Sequence, residues 1–203
     1  MGRGRPRKMD PETVLDIAMK VFWDKGFDGT SMNDLACETG MAKPGLYACF
    51  GDKESLYKKS LSHYYNNLGT PLIDELRNSP DPLKVSVRNF LTKVANSMLD
   101  KSSPSGCFVV NSLVQGASQH PAMEKIGRDF DQNRRNTFID LFDKAQKKGE
   151  LPPDADAKAL AEFFSAQSLA LGVLGSSNAT KETLSSFVDV AMTALPENSH
   201  IEE

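Results

Sequence analysis

The chain carries its apolar residues at helical spacing almost from end to end. Val14, Ile17, Ala18, Val21 and Phe22 recur three and four residues apart, which predicts an amphipathic helix. Asp10-Pro11-Glu12 supplies its start, a capping carboxylate followed by proline and an acid in the first turn, and Gly26 its end. Thr30 or Ser31 caps a short second helix, with Asp34 completing a capping box if Ser31 is the cap. Leu35 and Ala36 point inward, Gly40 makes a turn, and Met41 plugs the core. A third short helix is predicted from about Lys43 to Cys49, with Leu46 and Phe50 facing the core. Asp52 caps a fourth helix carrying Leu56, Leu61 and Tyr64.

Beyond Pro71 the pattern stays helical, and helices are predicted near 82–100, 106–118, 121–148, 156–175 and 180–194. The breaks fall at Pro/Gly/Ser clusters such as Ser102-Ser103-Pro104-Ser105-Gly106 and His120-Pro121. No strand-like alternation of useful length interrupts them. The expected fold is all-α, with about nine helices: a basic arm at 1–9, a helix-turn-helix domain at 10–65, a helical domain at 66–195 and a frayed tail at 196–203.

Two short helices joined by a tight glycine turn, with a longer helix on each side, form a helix-turn-helix whose second short helix enters the DNA major groove. Pro44 and Gly45 keep the backbone slender where it nears DNA, and Lys43 and Tyr47 supply groove and phosphate contacts. A plain helical hairpin would use the same glycine and proline as turn residues. Charge bears on the choice. The chain totals −3, yet residues 1–8 hold Arg3, Arg5, Arg7 and Lys8 with no acid, while residues 66–203 carry 14 Lys and Arg against 18 Asp and Glu. A basic tip on an acidic body suits an anionic partner met at one end.

Residues 13–60, containing VFWDKGFDGTSMNDLACETGMAKPGLYACFGDKESLY, resemble the DNA-binding domain of the TetR family of repressors without a gap. The resemblance implies that Thr30 and Ser31 hold phosphate, that Lys43, Pro44, Gly45 and Tyr47 form the recognition surface, and that Lys53 meets the DNA backbone. Ala42 stands where the family has a Ser or Thr cap, so that cap's phosphate contact is missing, and Cys49 stands where a second aromatic is frequent, which puts another backbone contact in doubt. Gly4-Arg5-Pro6 resembles an AT-hook core, which makes Arg3, Arg5 and Arg7 a minor-groove arm rather than a solubilising tail.

The resemblance further implies a ligand cavity within helices five to seven and a four-helix bundle with a second subunit made by the last two helices. Phe163, Phe164, Gln167, Leu171, Leu174, Leu184, Phe187, Val188 and Ala191 are the expected dimer faces, compatible with ordinary core. Phe90, Val94, Met98, Cys107, Phe108, Asn111, Gln115, Phe138 and Phe142 are the cavity candidates. Cys107 opens a predicted helix, where the dipole favours thiolate. A similar Gly-Cys opening occurs in family members that respond to electrophiles, so Cys107 is either a redox sensor or a small pocket wall.

The expected partners are double-stranded operator DNA, a second copy and a small-molecule effector, with no membrane span. Three scattered cysteines and no secretory leader fit the cytoplasm. His63, His120 and His200 lack zinc-ligand spacing, so no metal or cofactor is expected. An enzyme would have only Cys107 and His120 as nucleophile and base, without a phosphate loop or nucleophile elbow. An architectural DNA binder held by its arm alone is the third class. The expectation is a sequence-specific, ligand-responsive repressor, with activation still open and electrophile sensing through Cys107 as the alternative.

Overall fold

A computed structural model describes residues 10–114 and 121–196; the arm with Arg3, Arg5 and Arg7, the cavity candidate Gln115, and His120 and His200 lie outside them. Every regular element among the described residues is helical. The chain divides into two compact units between Tyr64 and Tyr65.

The first unit holds α1 (Pro11–Lys25), α2 (Met32–Thr39), α3 (Lys43–Phe50) and α4 (Lys53–Tyr64). Each start is fixed by a local device. Asp10 accepts from the Thr13 amide, Ser31 and Asp34 form a reciprocal capping box, and Asp52 accepts from the Ser55 amide at 2.8 Å. Only α3 starts without a side-chain cap, at Ala42. Val14, Ala18 and Phe22 of α1 are fully buried with Leu35, Leu46, Leu56 and Leu61. Phe22 meets the Tyr57 ring edge-on at 4.8 Å, binding α1 to α4. Full burial of each such side chain contributes about 1.5–3 kcal/mol, which holds the two short helices where propensity alone would not.

The second unit opens with a π turn (Tyr65–Gly69) and α5 (Thr70–Arg77). It continues through α6 (Leu83–Ser97), α7 (Phe108–Val114), α8 (Pro121–Lys147), α9 (Ala157–Ser176) and α10 (Lys181–Met192). The run Lys53–Arg77 is uninterrupted helix, so α4, the π turn and α5 count as one element and the described residues hold nine helices. The helix over 70–77 is an addition to the predicted elements. Gly69-Thr70-Pro71 resembles a terminator, yet the helical run continues through it, with Pro71 in the first turn of α5.

α8 packs along α9, and their shared core is an aromatic ladder. Phe90–Phe138, Phe138–Phe142 and Phe142–Phe164 have ring centroids 5.5, 6.5 and 5.7 Å apart. Leu171 of α9 and Leu184, Val188 and Ala191 of α10 are buried in the same core, against residues of α6 and α8. This corrects the dimer-face assignment for Phe164, Leu171, Leu184, Val188 and Ala191, which are spent inside their own chain. α9 is apolar nearly all round, so periodicity cannot tell its inner stripe from its outer one. The apolar residues it and α10 leave outside are Phe163, Val173 and Val190, the last 69% exposed, with Gln167, Leu174 and Phe187 half-buried. By length and composition α9 would pass for a membrane span, yet 39% of the qualifying window is buried in this chain.

Candidate nucleic-acid interface

α3 presents a clean division. Leu46 and Phe50 are buried, whereas Lys43, Pro44, Tyr47, Ala48 and Cys49 are exposed along the outer face. Tyr47 is 49% exposed. Gly45 is half-buried, and a Cβ there would lie 3.0 Å from the Met41 side chain. Its smallness therefore serves the packing of the turn as well as the approach to DNA. The Gly45 and Leu46 amides both donate to the Ala42 carbonyl, at 2.8 and 3.2 Å, closing the helix start that lacks a side-chain cap.

The phosphate role inferred for Thr30 needs correction, and Ser31 and Lys53 carry hydrogen bonds within the chain. Thr30 is 1% exposed, and its hydroxyl donates to the Gly26 carbonyl at 2.7 Å, so it locks the end of α1 and cannot reach a phosphate. Ser31 is exposed, but its hydroxyl donates to Asp34 Oδ2 at 2.5 Å and accepts from the Asp34 amide at 3.1 Å. Donation by the Ser31 hydroxyl, then by its amide, holds the Asp34 carboxyl below its usual value, with Lys25 assisting. An internal anion thus already occupies the start of α2. Lys53 Nζ donates to the Phe27 and Thr30 carbonyls at 3.0 and 3.1 Å and lies 4.1 Å from the Phe27 ring centroid. Two of its three donors are committed to bracing the α1–α2 loop.

Lys59, absent from the sequence reading, does for α3 what Lys53 does for that loop. Its ammonium donates to the Phe50 carbonyl at 3.1 Å and to that of Cys49 at 3.5 Å. A cation on the last carbonyls of α3 satisfies orphan acceptors and suits the helix dipole. Nothing in the local pattern marks Lys59 as different from its neighbour Lys58.

In the second unit the cavity candidates separate. Phe90, Phe138 and Phe142 are ladder rungs with no exposed face, and Val94 and Met98 pack against that core. Phe108 is buried. Asn111 is a strut: its amide donates to the Ser105 carbonyl at 3.1 Å, and its oxygen accepts from Ser176 at 2.6 Å. Cys107 is buried, and a Cβ on Gly172 would stand 3.0 Å from its own Cβ. Burial favours the wall reading of this thiol over the sensor reading. A cleft of about 50 Å³ between α5 and α6 touches Phe90 but is otherwise lined by groups such as Glu75, Asn89 and Lys93. That volume holds a few waters at most.

Sequence reasoning also missed Arg134. It is 3% exposed; Nε donates to Ser165 Oγ at 3.0 Å, Nη2 donates to Asp131, and Nη1 has no acceptor. Burial lowers the guanidinium's affinity for its proton, while Asp131 opposes that shift. A buried donor left unmade costs about 1–3 kcal/mol. Among the described residues no cluster of potential metal ligands occurs.

A small exposed helix face, held by a buried one and braced by Lys59 at its C-terminal end, is the arrangement of a major-groove reader. Residues 14–59 match the family model for bacterial regulatory proteins, tetR family, and residues 82–191 match a tetracyclin repressor-like C-terminal domain. The chain belongs to the tetR family and is a DNA-binding transcriptional regulator. It is 28% identical over 195 residues to the HTH-type transcriptional repressor ComR of Escherichia coli K12, covering 96% of this chain and 93% of that protein. The repressor BdcR of the same organism is 32% identical over 110 residues, 54% of this chain and 55% of that one. A cysteine mutant of the regulator CifR, solved with 26-base-pair double-strand operator DNA, superposes with a TM-score of 0.85 at 29% identity. That match spans 95% of this chain and 100% of the other.

Proposed function

We propose that the protein is a cytoplasmic, non-enzymatic homodimeric repressor that binds an imperfect palindrome and leaves it when a small molecule enters the second unit. The observation that carries the reading is the α3 face of Lys43, Pro44 and Tyr47, exposed on a helix whose Leu46 and Phe50 are buried. Tyr47 and Lys43 meet base edges and phosphates in the major groove, and Pro44 and Gly45 let the backbone close in. Arg3, Arg5 and Arg7 enter the adjacent minor groove. Phe163, Val173, Phe187 and Val190 meet their copies across a two-fold axis, so one substitution appears twice in the seam. The known activity of ComR, BdcR and CifR as repressors or operator binders supports the same role here.

The test is selection of bound DNA from a random pool, followed by mobility shifts. The selected sites should be palindromes with half-site centres one or two helical turns apart, each turn about 34–36 Å. Tyr47→Ala and Lys43→Ala should each weaken binding roughly 10- to 100-fold, about 1.4–2.7 kcal/mol, in an intact dimer. Val190→Glu should yield monomers and lose operator binding altogether. Unchanged affinity in both α3 variants would remove the recognition-helix assignment.

A further inference from the structure

We propose that Arg134 anchors an anionic effector, its free Nη1 donating to the carboxylate of a small organic acid. The inference rests on the effector reading above and narrows it to a chemical class. Buried donors without acceptors are rare, and an unmatched edge on a buried guanidinium is rarer still. Arg134 leaves Nη1 unmatched while Nε and Nη2 are fixed by Ser165 and Asp131, so the guanidinium is held in place with one edge open.

The surrounding charges point the same way. Asp131 also lies 3.9 Å from Arg135, and Arg135 pairs with Glu162 at 2.6 Å. Both acids are partly exposed, with side chains 38% and 34% accessible, whereas the Arg134 side chain is 3% accessible. Arg135, 45% accessible, lies at the surface with both acids, and Arg134 is the cation of this network that is buried. One free nitrogen on a planar fork suits a monoanionic oxygen acid; a phosphate dianion would leave most of its acceptors unmet.

A ligand here would act on a specific neighbour. The guanidinium carbon lies 5.9 Å from the Phe130 ring centroid, a cation–π distance. Phe130 is also the ring against which the π turn packs. It meets Tyr65 edge-on at 5.3 Å, and a Cβ on Gly69 would lie 2.8 Å from its Cε2. Asn133 donates to the Tyr65 hydroxyl at 2.8 Å from the same face of α8. A carboxylate competes with the ring for the cation, and Phe130 is then free to move against Tyr65–Gly69. That π turn follows α4 in the chain without an intervening residue, and such turns are registers that can shift.

The experiment titrates the full-length protein with acetate, hexanoate and benzoate against acetamide, hexanamide and benzamide, at ionic strength fixed with sodium chloride. Binding is read by calorimetry and thermal melting, and operator affinity by mobility shift. At least one carboxylate should bind 10-fold or more tightly than its amide and weaken operator binding. Arg134→Gln should erase the difference between acid and amide while still binding operator without ligand. Should Arg134→Gln not fold, arginine side-chain NMR of the unmodified protein replaces it, with the Arg134 guanidinium signals moving on carboxylate and not on amide. Equal binding of acid and amide, or no effect beyond that of chloride, overturns the anchor. Operator release by the amides alone would leave the effector reading standing and the anchor fallen. A carboxylate that binds through Arg134 without changing operator affinity would leave the anchor standing and overturn release.

Discussion

The two units spend their polar side chains differently. In residues 10–64 nearly every one named above fixes a backbone turn: Asp10, Thr30, Ser31 with Asp34, Asp52, Lys53 and Lys59 each satisfy an amide or carbonyl of a helix end or of the α1–α2 loop. In residues 65–196 Asp156 and Thr180 cap α9 and α10 in the same way, but an aromatic ladder ties the helices together and a buried guanidinium keeps an unmatched donor. A surface that must match the spacing of base edges is over-determined. A region that must respond retains a group whose best partner is absent.

The largest effect should come from the ladder. Phe142→Ala deletes the rung between Phe138 and Phe164 and should lower stability by about 3–5 kcal/mol in urea denaturation of the full chain. A loss below about 1 kcal/mol would mean that the rungs line a void, returning Phe138 and Phe142 to the effector cavity and blurring the contrast between the units. The next effect separates bracing from DNA contact. Lys53→Met removes two bonds to loop carbonyls and the cation over Phe27, and should cost about 1–2 kcal/mol of stability. If Lys53 is chiefly a brace, the salt dependence of operator binding keeps its slope. A direct phosphate contact would instead reduce that slope by about 0.9.

The first unit was the more legible because its signals are local. Asp10-Pro11, the Ser31–Asp34 spacing, Gly40 and Asp52 each act within four residues, so sequence order is enough to read them. The α3 face followed from the same logic, since Leu46 and Phe50 fix its orientation. Lys53 and Lys59 were not legible as braces, because Lys53 reaches carbonyls 26 and 23 residues away and no pattern distinguishes a tethered lysine from a solvated one. The second unit hid more. The π turn carries the chain past Gly69, where Phe130 packs, through a sequence that resembles a stop. The outward residues Val173 and Val190 escaped notice because α9 and α10 offer apolar residues on more than one face. Arg134 finds Ser165 31 residues away on another helix, so neither its burial nor its open edge has a sequence signature.

The smallest effect tests the capping box that starts α2. Asp34 has its carboxyl lowered chiefly by the Ser31 hydroxyl and then by the Ser31 amide, with Lys25 at 3.7 Å adding a little and slight desolvation opposing. A carboxyl that binds its proton less tightly when folded contributes stability above its unfolded value, near about 4. That contribution fades as pH falls through the lower folded value, because protonation then removes the charge that strengthens both bonds from Ser31. Asp52, lowered by Ser55 in the same way, adds a parallel contribution at the start of α4. Asp34→Asn keeps size and an acceptor oxygen but cannot titrate, so its urea midpoint should fall less than that of the unmodified protein between pH 5 and pH 3, a window set by these lowered carboxyls. Asp34→Asn combined with Asp52→Asn should flatten the profile further, since the two caps act on separate helices. Because Asp34 is exposed, the Lys25 share should vanish in high salt while the Ser31 share persists. Parallel pH profiles for the unmodified and doubly substituted proteins would show that the caps order the turns without being felt in the folding equilibrium.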